Sequence, residues 1–230
     1  MPGKLIAVAA HPGDGLFTMG AVLAQHIYQG GTGALLSLSY GEKGAPRGVP
    51  VKDYGDRQRT ATERALRLLG AEALWLPYPD AQIPFDEAIA LAVADLFREH
   101  KPETVITHWS GSWHKDHQNC HLVVRDAIFF GGLATLERTR APHGVTRVYY
   151  ADNWEDANQY QPDTYVDIDP VYEKWIEACE FYPMWRGQTG FRYNDYYSSL
   201  AVMRGCLSNF KHAVALMSDA GQRTQRLHSF

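Results

Sequence analysis

Short apolar runs that are unbroken rather than alternating recur along this chain between helix-length patterns, and they constrain its fold more than any other feature. Leu5 to Ala10, Ala34 to Ser39, Ala73 to Leu76, Thr104 to His108 and Arg147 to Tyr150 read as strands. Runs of this kind belong to strands covered on both faces. Helical patterns fall between them at Leu16 to Gln29, Arg57 to Leu69, Asp86 to His100 and His117 to Phe130, with Gly30 and Gly70 placed as C-cap glycines. No hairpin signal separates the early strands. The alternation therefore predicts an α/β fold, Rossmann-like, with a mostly parallel sheet and helices on both faces. Beyond Tyr150 the chain becomes rich in aromatic residues and reads as an elaboration of the same domain, with helices expected at Val171 to Phe181 and near Tyr196 to Met217. At 230 residues, one domain spanning residues 1–230 accounts for the length.

A formal net charge of −4 and the absence of any Lys/Arg run argue against a nucleic-acid or anionic-membrane partner and leave small molecules. The first apolar run is too short for a membrane span and is interrupted by His11-Pro12, and no later stretch approaches about 18 uncharged apolar residues. Cys120, Cys179 and Cys206 are odd in number and widely spaced, as expected of reduced core thiols. A soluble cytoplasmic protein is the expectation.

In a parallel sheet, chemistry collects at the carboxyl ends of the strands. His11-Pro12-Gly13-Asp14-Gly15 follows the first strand, and His114-Lys115-Asp116-His117 follows the strand ending at His108. A strand ending in Ala-His-Pro, with Asp three residues after the His and a later His-x-Asp-His, resembles the PIG-L/LmbE-like family of zinc-dependent de-N-acetylases. Gly41-Glu42-Lys43-Gly44, Leu68-Leu69-Gly70, Pro79-Asp80 and Tyr165-Val166-Asp167-Ile168 extend the resemblance over most of the chain. It implies that His11, Asp14 and His117 ligate Zn2+ or another divalent metal, that Asp80 contacts substrate hydroxyls, and that Arg59 faces the pocket. Two imidazoles and a carboxylate with an open position also suit a hydrolytic zinc. A rival pair, His117 and His121, shares a helix face but lacks the Glu of a His-Glu-x-x-His motif, so His121 and His108 read as packing or pocket residues.

The family's first motif is Ala-His-Pro-Asp-Asp-Glu, so its general-base Asp falls on Gly13 and its Glu on Gly15. Two lost side chains predict a wider, less negative pocket floor. Glu42 and Asp116 are the candidate replacement bases, with Asp116 expected to orient His114, which would protonate a leaving amine. Three readings follow: a hydrolase acting on an N-acylated amino sugar or related amide, a different metal-assisted reaction on a substrate that supplies its own carboxylate, and a ligand-binding or partner protein. The loop from Gly41 to Tyr54 is expected beside the site. The C-terminal aromatics, including Phe181 to Trp185 and Arg192 to Tyr197, suit a lid or the contact surface of a homo-oligomer.

Overall fold

The computed structural model describes residues 2–156 and 158–223. Seven strands form one sheet: β1 (Lys4–Ala9), β2 (Thr32–Ser37), β3 (Glu72–Trp75), β4 (Pro102–Thr107), β5 (Arg147–Ala151), β6 (Thr164–Asp167) and β7 (Ala213–Ser218). Their order is β3-β2-β1-β4-β5-β7-β6. The first five are parallel neighbours, and β7 is antiparallel to both β5 and β6. The expected mostly parallel α/β architecture is what the chain adopts.

Six principal helices cover the sheet: α1 (Gly20–Tyr28), α2 (Val51–Leu69), α3 (Glu87–His100), α4 (Lys115–Gly132), α5 (Tyr172–Cys179) and α6 (Tyr193–Ser208). Successive residues of β1 feed opposite layers, as the two-residue period of a strand requires. Ile6 and Val8 pack with Ile89, Val93 and Phe97 of α3 and Val123 and Val124 of α4. Leu5, Ala7 and Ala9 pack with Val22, Leu23 and Leu66 on the other face. Gly70, in the left-handed region at φ 82°, terminates α2, and Asp86 caps α3 by accepting from the Ile89 amide at 3.1 Å.

The expected helix from Tyr196 to Met217 is corrected by the structure: α6 ends at Ser208, and Ala213–Ser218 is a strand. Asn209, at φ 62°, closes the helix, and a turn of three residues lets the apolar run Ala213 to Met217 enter the sheet between β5 and β6. Cys120 and Cys179 are buried, whereas Cys206 lies exposed on α6. No helix among the described residues is long and apolar enough to cross a membrane.

The order of strands reverses at β1, whose neighbours are β2 on one side and β4 on the other. That reversal opens a crevice at the carboxyl ends of β1 and β4. Both His-rich motifs leave the sheet at this point.

Candidate metal centre and active site

His11 leaves β1 in extended conformation, and Pro12 starts a single helical turn, Pro12–Asp14, which runs into a π-helical turn, Gly15–Met19. The turn swings Asp14 back toward His11, placing Oδ2 2.9 Å from His11 Nδ1. Wide helical turns of this kind are frequent at functional sites. His117, in the first turn of α4, brings Nε2 to 3.3 Å from both His11 Nδ1 and Asp14 Oδ2. Three donor atoms thus form a triangle with sides of 2.9 to 3.3 Å. Ligands tetrahedrally arranged around zinc at about 2.0–2.1 Å stand about 3.3 Å apart, so the triangle has the size a zinc ion needs.

The far nitrogens of both imidazoles meet carboxylates. His11 Nε2 faces Asp80 Oδ1 at 3.1 Å and Asp116 Oδ2 at 3.5 Å, and His117 Nδ1 faces Glu155 Oε2 at 2.9 Å. At these ion-pair distances the carboxylates favour protons on the far nitrogens, the tautomers that turn the lone pairs of His11 Nδ1 and His117 Nε2 toward the triangle, although the hydrogen bond at His117 Nδ1 itself is with Ser112 Oγ at 3.3 Å. Burial disfavours protonation of His11, but hydrogen bonding to Asp116, Asp14 and Asp80 outweighs it and raises the pKa well above the ordinary value. Burial likewise opposes ionisation of Asp14, and His117 and His11 overcome it, holding the carboxyl well below the usual range. Four carboxylates around two imidazoles make a field that favours positive charge, and a divalent cation fits both that field and the N/O donor set. His11, Asp80 and Asp116 form a second triad, but Asp116 is fully buried, contributes nothing to the cavity wall and leaves no approach for a substrate.

A cavity of about 350 Å³ opens on the triangle, lined by His11, Gly13, Asp14, Lys43, Tyr54, Gln58, Asp80, His114, His117, Glu155, Met184 and Tyr193 among others. Its carboxylates among the described residues are Asp14, Asp80 and Glu155, and each faces an imidazole. His114 caps α4, accepting from the Asp116 amide at Nδ1 over 3.2 Å, which leaves its proton on Nε2. Its ring stacks on His117 at 4.6 Å, and burial followed by the neighbouring His117 and His11 lowers its pKa. The Asp116 carboxylate does not orient His114. It is the backbone amide of Asp116 that does so, while the carboxylate faces His11.

Glu42 turns away from the cavity: its Oε1 accepts from the Asp80 amide at 2.8 Å, and Asp80 Oδ2 accepts from the Lys43 amide at 2.8 Å. The pair clips the loop after β2 to the segment after β3. Arg59 lies on the exposed face of α2 beside Glu63, and the residue that reaches the cavity from that helix is Gln58. Tyr54, Gln58 and Thr62 form a polar row four residues apart on the buried side of α2, a pattern visible in sequence once the helix is extended back to Val51. Glu155, Met184 and Tyr193 carry no such signal: Glu155 arrives from the connection after β5, Met184 from the single turn Pro183–Arg186 and Tyr193 from the first position of α6. His121 lies outside the cavity, its Nδ1 3.1 Å from the His108 carbonyl. His108 accepts from the Ala10 amide at 3.1 Å and stacks on His117 at 4.0 Å.

The expected widening of the floor is not what the two glycines do. A Cβ on Gly13 would stand 3.3 Å from Met184 Sδ, so the methionine fills the space above that glycine. Gly15 points away from the cavity, and a Cβ there would meet Leu35 Cδ1 at 2.6 Å and Ala9 Cβ at 2.8 Å. The constraint is packing, since Gly15 has ordinary helical dihedrals. Gly15→Ala is expected to cost about 1–3 kcal/mol of stability through overpacking, read as a lower midpoint in urea with an unchanged slope. An unaltered midpoint would show that Leu35 yields freely.

Glu155→Gln keeps the size of the side chain and removes the charge that holds the proton on His117 Nδ1. Zinc affinity, measured by competition with a chromogenic chelator, is expected to fall about 10- to 100-fold. Unchanged affinity would mean that Ser112 Oγ, 3.3 Å from the same nitrogen, orients the ring alone.

The model of the GlcNAc-PI de-N-acetylase family, PIG-L, matches residues 6–128. A 4-oxalmesaconate hydratase of Pseudomonas putida strain KT2440 is 24% identical over 208 residues, covering 87% of this chain and 79% of its own. The crystal structure of the 4-carboxy-2-hydroxymuconate hydratase from Pseudomonas putida KT2440 superposes with a TM-score of 0.88 at 24% identity, covering 99% of this chain and all of that one. The N,N'-diacetylchitobiose deacetylase of Pyrococcus horikoshii gives a TM-score of 0.80 at 17% identity over 95% of this chain and 84% of its own.

Proposed function

The chain belongs to the GlcNAc-PI de-N-acetylase (PIG-L) family, and we propose that it is a metal-dependent hydrolase that removes the acyl group from an N-acylated amino sugar or a related amide. The observation that carries this reading is the triangle of His11 Nδ1, Asp14 Oδ2 and His117 Nε2, with each imidazole backed by a carboxylate at the edge of a substrate-sized cavity. A divalent cation bound there supplies a polarising charge for a carbonyl and lowers the pKa of water to about 7. Zinc suits the donor set, as do several other divalent ions.

The protein's own groups then divide the work. In amide hydrolysis the oxygen of water bonds to the acyl carbon, the C–N bond breaks and the nitrogen leaves with a proton. His114 is a neutral imidazole, with Nδ1 accepting from the Asp116 amide and the proton on Nε2, so it donates a hydrogen bond to that nitrogen, and the proton with which the nitrogen leaves is the one given up by the attacking water. Asp80 and Asp116 keep His11 in its ligating tautomer, and Glu155 does the same for His117. Lys43 and Tyr193 at the cavity wall are placed to contact the polar groups of the substrate.

A second reading is favoured by one observation: position 13 offers no carboxylate, and Met184 covers it with a thioether. Hydration of a carbon–carbon double bond conjugated to a carboxylate fits such an apolar floor: the oxygen of water bonds to one carbon, its released proton ends on the other, and no amine leaves. The hydratase from Pseudomonas putida acts on an unsaturated acid by its name. Zinc-reconstituted protein should be offered N-acetylglucosamine derivatives, with release of acetate followed, and conjugated unsaturated carboxylates, with loss of ultraviolet absorbance followed. Acetate release supports the hydrolase. Bleaching without acetate release overturns it in favour of the hydratase.

A further inference from the structure

Helix α6 grips the connection after β5 at two points. Arg204 Nε stands 2.9 Å and Nη2 2.6 Å from Asp152 Oδ2, in a largely buried pair. Two turns earlier in α6, Tyr197 donates its hydroxyl to Asn153 Oδ1 at 3.2 Å. Positions seven apart on a helix share a face, so both grips belong to one stripe of α6. Asn153 Oδ1 also accepts from the Glu155 amide at 3.3 Å, and the Glu155 carbonyl accepts from the Trp113 amide at 3.2 Å. The backbone of Glu155 is therefore held on both sides while its Oε2 stands 2.9 Å from His117 Nδ1. Tyr197, Asn153 and Glu155 are 3%, 4% and 7% exposed, so water competes little for these contacts.

Packing alone does not account for the residue at 153. Asn153 Nδ2 is buried without a partner among the described residues, and an orphaned donor costs stability. Turning the amide over is no remedy, because the Glu155 N–H needs an acceptor at that place. An aspartate would serve both donors with no orphan, but it would add a fourth carboxylate to Asp152, Glu155 and Asp156. The neutral amide supplies the acceptor and spares Glu155 a further like charge. We propose that Tyr197 and Asn153 are positioning residues for the metal centre: they fix the backbone of Glu155 so that its carboxylate stays on His117 Nδ1 and His117 Nε2 keeps its aim at the triangle. Neither residue lines the cavity. The inference rests on the reading of the triangle as a metal site and adds what sets its grip from outside.

The test is a double-substitution cycle on zinc affinity, measured by competition with a chromogenic chelator and independent of turnover. Tyr197→Phe keeps the ring and removes the hydroxyl, and affinity is expected to fall about 3- to 10-fold, the range of a single hydrogen bond. In the Glu155→Gln background the same change is expected to have no effect, because the carboxylate it positions is gone. Cobalt-loaded protein adds a spectroscopic signature: Tyr197→Phe should move the visible ligand-field bands in the direction in which Glu155→Gln moves them. Equal losses in both backgrounds, or none in either, would overturn the proposal and leave Tyr197 a packing residue. If the unmodified protein binds neither zinc nor cobalt, the metal reading fails separately, and the positioning is then read from the His117 ring by long-range proton–nitrogen NMR of histidine-labelled protein. A shift away from the Nδ1-protonated tautomer in both Tyr197→Phe and Glu155→Gln supports it, and an unmoved tautomer in Tyr197→Phe overturns it.

Discussion

Asp14→Asn and His117→Ala are each expected to take bound zinc from about one ion per chain to a small fraction of that, read by elemental mass spectrometry after dialysis against low free zinc. Either change removes one corner of a triangle whose sides are 2.9 to 3.3 Å, and two donors hold the ion far more weakly than three. Turnover should fall by about 10³-fold or more, equivalent to several kcal/mol of barrier. His117→Ala also leaves Glu155 buried without its imidazole, so part of the loss arises from disturbance of that loop. Asp14→Asn is the cleaner variant: it preserves shape, and the Asp14 carbonyl still accepts from Thr18 Oγ1 at 2.7 Å. Full zinc retention in Asp14→Asn would exclude the triangle as the site.

The second large effect concerns position 13. Gly13→Asp alone is expected to raise amide hydrolysis little, because its Cβ would already stand 3.3 Å from Met184 Sδ, with Phe17 and Tyr182 behind at 3.7 and 3.9 Å. Gly13→Asp combined with Met184→Ala opens the space that a carboxylate occupies. A positioned general base contributes about 10²–10⁴ in rate, so the double variant should exceed both single variants by that order. The comparison is a double-substitution cycle, with the interaction visible as strong non-additivity. Equal rates in the single and double variants would mean that Met184 is no obstacle. If bleaching of a conjugated acid is the native activity, the same double variant should lose it, since it replaces an apolar wall by a charge.

The five parallel strands were legible in sequence because unbroken apolar runs have few alternatives once helical periods separate them, whereas β6 and β7 were not. The cavity's two chain-local motifs were legible too, since His11 and Asp14 share one turn and His114 and His117 share another. The partners of those imidazoles were harder to read. Glu155 sits between β5 and β6, and it reaches His117 only because β7 inserts between those strands and anchors both ends of the connection. An apolar run following a helix can prolong it or become a strand, and the pattern alone favoured the former. The glycines misled for a related reason: a missing side chain says nothing about which neighbour fills the space, and Met184 comes from a segment 171 residues along. Arg59 and Gln58 differ by one position, which on a helix is a rotation of about 100° and separates solvent from cavity.

All three candidate ligands lie within residues 6–128, whereas Glu155, Met184 and Tyr193 belong to the remainder. The candidate site thus divides along the chain: an N-terminal portion carries the three candidate ligands with Asp80 and Asp116, and a C-terminal portion adds Glu155 and the Met184 and Tyr193 walls. Exchanging the C-terminal portion between relatives should therefore reassign what is transformed while conserving what is bound.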